Sequence, residues 1–139
     1  DKTAKKETIN VSGISLHLDS QWTKIADNSF LCGNTAFLTV STVNLPPAES
    51  GNQLSASERL IRLLTASSPY VKTLLPYTIA EGTPSAFTLT QSVYDIESKK
   101  ISKDIKRCIK NKDGSFTIIS LTVNSYAYSA AQAYFNGLF

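Results

Sequence analysis

Along most of the chain, apolar and polar residues alternate with a period of two, and only two stretches shift to a helical period. In "TINVSGISLHL", residues 8–18, two short strands meet at Ser12 and Gly13, and Ile14, Leu16 and Leu18 alternate with Ser15 and His17 as in a half-buried strand. "FLCGNTAFLTVSTVNL" predicts a strand to about Cys32, a Gly-Asn turn and a longer strand from Ala36 to Asn44. "YTIAEG" and "SAFTLTQSVY" predict two further strands separated by Gly82 and Pro84, with Phe87, Leu89 and Val93 on one side together with Gln91.

The sharpest hairpin signal follows. Ile101, Ile105 and Ile109 share one parity, and Ser102, Asp104, Lys106, Cys108 and Lys110 share the other. "NKDG" reverses the chain, and Ser115 to Val123 returns with Thr117, Ile119, Leu121 and Val123 on one face and Phe116, Ile118, Ser120 and Thr122 on the other. This pairing predicts Ile105 and Ile109 in the core with Ile119, Leu121 and Val123, and the Lys106, Cys108 and Lys110 side toward water.

The first helical stretch begins at "SASE", a capping box in which Ser55 accepts from the Glu58 N–H and Glu58 reaches back. Leu60, Leu63 and Leu64 form its apolar face with Ile61, and Glu58 and Arg62 form an i,i+4 pair worth ~0.2–0.5 kcal/mol. After "SSP", Ser68 as cap and Pro69 at the first helical position predict one or two more turns through Leu75, ended by Pro76. At the C-terminus Ala127, Ala130, Ala131, Tyr134, Phe135 and Leu138 fall on one helical stripe after a Ser125 cap, in a segment without charge. Strands, a helix, four strands and a helix point to an α+β fold, an antiparallel sheet with helices packed on it.

The order resembles the PsbP-like fold, which includes a photosystem II extrinsic subunit, a Ran-binding nuclear import factor and bacterial exported lipoproteins. The resemblance is carried by "GISLHLDSQWTKI", the long strand, loop and helix after it, and the terminal "YSAAQAYFNGLF". It departs from the pattern where a proline often precedes the tryptophan; Asp19, Ser20 and Gln21 stand there instead. It implies an α/β/α sandwich built on an antiparallel sheet, and a binding or assembly role without intrinsic catalysis. No functional residue carries over from it.

With 139 residues the chain is the size of one domain, read as a polar tether over 1–8 and an α+β domain over 9–139. The chain has no methionine, so Asp1 is read as a processing point or as the edge of a larger protein. "DKTAKKET" suits a tether after a removed signal or lipid-anchor segment, which with the Ser/Thr/Asn/Tyr-rich remainder points to a bacterial, extracytoplasmic setting near a membrane; the alternative is a piece of a cytoplasmic protein. A formal charge of +3 does not imply nucleic-acid binding.

Candidate chemistry is sparse. Cys32 and Cys108 are a possible disulfide, worth ~4–5 kcal/mol in the chain-entropy model, or two unrelated buried thiols. His17 is the single histidine and faces solvent by its alternation, Asp95 and Glu97 flank a turn, and neither makes a catalytic set; no metal or cofactor signature is present. Tyr70, Tyr77, Tyr94, Tyr126 and Tyr128 could line a groove or sit at ordinary interfaces. Lys99, Lys100, Lys103, Lys106, Arg107, Lys110 and Lys112 supply seven of the 14 basic residues in one short stretch. Either Lys103, Lys106, Arg107 and Lys110 grip an anionic partner, or the stretch is a solvated strand whose lysines discourage edge pairing. The expected function is therefore noncatalytic binding of a protein or an anionic envelope component. The alternatives are a small-molecule carrier with a pocket between sheet and helix, and an enzyme with an unrecognised site.

Overall fold

A computed structural model describes residues 7–138 apart from 12, 48–50, 52–53, 67 and 75–76. Five strands come first: β1 (Glu7–Val11), β2 (Ile14–Leu18), β3 (Trp22–Ala26), β4 (Ser29–Cys32) and β5 (Ala36–Val43). Helix α1 (Ala56–Thr65) follows, then β6 (Val71–Thr73), β7 (Thr78–Thr83), β8 (Ala86–Asp95), β9 (Lys100–Lys110) and β10 (Phe116–Asn124). Two short helices, α2 (Ser125–Ala130) and α3 (Gln132–Asn136), complete the chain. An eight-stranded antiparallel sheet runs β3-β4-β5-β10-β9-β8-β6, with β7 also paired to β8, and β1 and β2 form a separate hairpin.

The fold is an α+β sandwich because the central strand is apolar on both parities. From β10, Ile119, Leu121 and Val123 point to one face, where they meet Leu16, Leu18, Trp22, Phe30, Leu38, Ile105, Phe135 and Leu138. Phe116 and Ile118 point to the other, where they meet Leu60, Ile61, Phe87, Leu89 and Cys108. The first face is covered by the β1–β2 hairpin and the two C-terminal helices, the second by α1. The Ser55–Glu58 capping box closes the start of α1 as its sequence predicts.

Several expectations are corrected. Cys32 belongs to the hairpin-side core and Cys108 to the α1-side core, with β5 and β10 between their strands, so the sheet itself separates them and both are free thiols. The Lys106–Cys108–Lys110 parity does not face water as a whole, because α1 lies over it; Cys108 is 0% exposed, and burial pushes its thiol up to about 11. Ser68 does cap, its Oγ accepting from the N–H groups of Tyr70 and Val71, but the chain then enters β6 and not a helix. Residues 75 and 76, where that helix was to end, lie outside the described residues. Leu63 points outward from α1. Of the C-terminal stripe, Ala127, Ala131, Tyr134, Phe135 and Leu138 pack on the core but Ala130 is exposed; Asn124, not Ser125, caps the segment, and its helix is broken at Ala131, whose φ of −145° and ψ of 45° leave the helical region.

Gly82 sits at an irregularity in β7, between Ala80 and Gly82 in the register with β8, at φ +144°. A Cβ there would press on the Ala86 carbonyl oxygen and lie 2.8 Å from the Phe87 Cα, both backbone atoms that cannot step aside. Gly82→Ala is therefore expected to lower stability by about 1–3 kcal/mol, read as the shift in urea midpoint; an unchanged midpoint would show that β7 is not held against β8.

Candidate functional site

The structure divides the basic stretch instead of presenting it as one face. Lys103 and Arg107 project to the hairpin side of the sheet, whereas Lys106 and Lys110 belong to the α1 side. Lys106 is nearly enclosed. Its ammonium pairs with Asp104, and the Gln91 Nε2 donates to the same Asp104 Oδ2 at 3.3 Å and to the Leu64 carbonyl at 3.4 Å. The Asp104 Oδ1 and the Gln91 Oε1 are buried without a protein partner. This cluster fastens the end of α1 to the sheet and offers little to a solution partner.

Lys103 and Arg107 are half-buried on the other face, on either side of Ile105, which belongs to the hairpin-side core. On their face β9 pairs with β8 through Thr88 opposite Arg107, Thr90 opposite Ile105, Ser92 opposite Lys103 and Tyr94 opposite Ile101. Thr78 of β7 extends the Thr90 row and Lys72 of β6 extends the Tyr94 row. The hydroxyl-bearing positions of β8 all keep part of their surface in solvent. The Arg107 Nη1 donates to the Thr88 Oγ1 at 3.2 Å, and the Lys103 Nζ sits 5.7 Å from the centre of the Tyr128 ring on α2. These two contacts hold the cations in place without neutralising them. Lys103 and Arg107 lie four residues apart on one strand, about 13 Å. The only acids of β6, β8 and β9, Asp95 and Asp104, fall on the opposite parity.

The result is a patch of three cations on a lawn of hydroxyls. Its chemistry is recognition of negative charge by hydrogen bonding and Coulomb attraction, with no nucleophile and base brought together. Lys72 was missed from sequence because its segment reads as a helical turn; once paired as a strand, its parity with Tyr94 puts it on this face.

The sequence profile of a domain of unknown function (DUF7955) matches residues 6–139. The chain belongs to the DUF7955 family. No curated protein matches it. In three dimensions it is similar to the solution structure of cyanobacterial PsbP (CyanoP) from Synechocystis sp. PCC 6803, with a TM-score of 0.57, 13% sequence identity, and coverage of 98% of this chain and 90% of that one. This DUF7955 domain therefore has a PsbP-like fold, as the strand order and terminal helix suggest.

Other candidate positions in the DUF7955 domain are engaged locally. The Asp95 carboxylate accepts from the Ser98 N–H at 2.7 Å, which holds its carboxyl below the usual range and closes the β8–β9 turn. His17 is exposed, with its Nδ1 3.4 Å from the Thr8 hydroxyl. A cleft of about 300 Å³ opens between the hairpin and β3–β4, lined by Ile9, Leu18, Asp19, Trp22 and Phe30. It is not the sheet–helix pocket expected of a carrier, and two of its polar side chains, Asp19 and Trp22, are already engaged. The Trp22 Nε1 donates to the Tyr134 hydroxyl, which donates to Asp19, each at 2.9 Å, and Asp19 also accepts from the Gln21 N–H at 2.9 Å. The tyrosines do not share one groove: Tyr94, Tyr126 and Tyr128 gather near the β8–β9 end, and Tyr77 precedes β7.

Proposed function

We propose that this DUF7955 domain is a noncatalytic, extracytoplasmic binding module that docks an anionic partner through the hairpin-side surface of β6, β8 and β9. The reading rests on one observation: exposed Lys72 and half-exposed Lys103 and Arg107 share a hydroxyl-rich sheet face from which the acids of the same strands are excluded. Positive potential over a flat polar surface steers and registers an anionic surface more than it encloses a small molecule. The extracytoplasmic setting is supported by the lysine-bearing polar segment before the first strand and by the serine- and threonine-rich surface.

Retention on immobilised polyglutamate tests it. Lys103→Glu with Arg107→Glu is expected to elute at clearly lower salt than the native chain. Lys110→Glu with Lys112→Glu changes net charge equally but alters the opposite parity and the following turn, so it should elute close to the native position. Equal losses from both pairs would show that bulk charge, and not this face, governs binding.

A further inference from the structure

The end of the sheet at the β8–β9 turn carries exposed apolar groups among its lysines. Ile96 and Ile101 flank the turn, each 45% exposed, and Tyr70 and Tyr126 are 72% and 89% exposed. The Ile96 N–H donates to the Tyr70 carbonyl at 3.0 Å, which places these two side by side. Ile101, Tyr126, Lys99 and Lys100 line one groove of about 590 Å³ with Ser125 and Ser129. Lys72 joins the same end through the Tyr94–Ile101 row, and Lys103 stands one row further along. Four lysines face two acids here, and one of those, Asp95, has its carboxylate turned onto the Ser98 N–H.

Scattered exposed apolar side chains are ordinary, but a cluster rimmed by a clear excess of positive charge marks a docking surface. A soluble polyanion would satisfy the lysines and leave both isoleucines in water. An anionic bilayer satisfies both: lipid phosphates attract lysines, the headgroup level accommodates tyrosine, and the acyl boundary takes isoleucine. Building on the anionic-partner reading above, we propose that this end of the sheet docks on an anionic lipid surface, with Ile96 and Ile101 entering the acyl boundary and Lys72, Lys99, Lys100 and Lys103 against the phosphates.

The test uses vesicles of phosphatidylcholine with and without phosphatidylglycerol, beside soluble polyglutamate. The native chain should co-sediment with the anionic vesicles only. Ile96→Ser with Ile101→Ser, both at exposed positions, should weaken that partition about tenfold or more while leaving polyglutamate retention unchanged. Ile101→Trp adds a second indole to the buried Trp22, and its emission should shift to the blue on anionic vesicles. Full vesicle binding by the serine variant with no blue shift would overturn membrane docking. Retention on polyglutamate without vesicle binding would also overturn it, leaving the basic face intact and pointing to an acidic protein or polymer. Binding to neither would overturn both readings.

Discussion

Lys106→Met is expected to lower the stability of the domain by about 3–5 kcal/mol, the largest effect of any charge change on β9. The substitution removes the cation beside Asp104, which is 6% exposed and keeps only the Gln91 amide as a described donor to its side chain. A carboxylate left there retains its desolvation cost without the attraction that offset it. Removing the charge as well should restore most of the loss, so Asp104→Asn with Lys106→Met is expected to return to within about 1–2 kcal/mol of the native chain. Urea denaturation of the two variants measures the difference. A single variant within about 1 kcal/mol of native would mean that water reaches the pair and that Lys106 belongs with the surface cations after all.

That contrast shows what β9 reveals by itself and what it hides. Its parity was legible: Lys103 and Arg107 are odd, Lys106 and Lys110 are even, so four cations on one extended strand never share a face. Which parity meets solvent depends on the neighbours. The clue lay in β10, where Phe116 and Ile118 on one side match Ile119, Leu121 and Val123 on the other, the mark of a strand buried on both faces. Cys108 pairs with Ile118, and its burial follows from that register. Lys72 was hidden for a different reason. Ser68 and Pro69 carry the start signals of a helix, and Ser68 does cap two backbone N–H groups, but pairing with β8 overrides the local preference. The hairpins and the α1 cap were readable because they depend on adjacent residues. Which face keeps its cations in reach of solvent was not, because it depends on where the β1–β2 hairpin, α1 and the C-terminal helices cover the sheet, and these lie far from β9 in the chain.

Phe135→Ala tests whether the terminal segment seals the sheet, and it is expected to cost about 3–5 kcal/mol. No glycine or proline stands between Ser125 and Asn136, so nothing local announces the break at Ala131. Long-range contacts fix where the chain goes after it. The Leu138 carbonyl accepts from the His17 N–H at 2.9 Å, Tyr134 links Trp22 to Asp19, and the Phe135 ring meets Tyr134 edge-on at 5.2 Å within the hairpin-side core. Tyr134→Phe keeps the ring and removes the hydroxyl, so it should cost less, about 1–3 kcal/mol. It also has a signature in alkali. Burial first, and then the hydrogen bond to Asp19, push the Tyr134 phenol up to about 12 from an ordinary 10.0. Between those values the unfolded chain loses this proton and the folded one keeps it, so stability falls as pH rises. The phenylalanine variant should lack that component of the decline. Trp22, the single tryptophan, reports the same cluster by its emission. A loss below about 1 kcal/mol for Phe135→Ala, with Trp22 emission unmoved, would mean that the last helix is not part of the core and that the hairpin covers this face of the sheet alone.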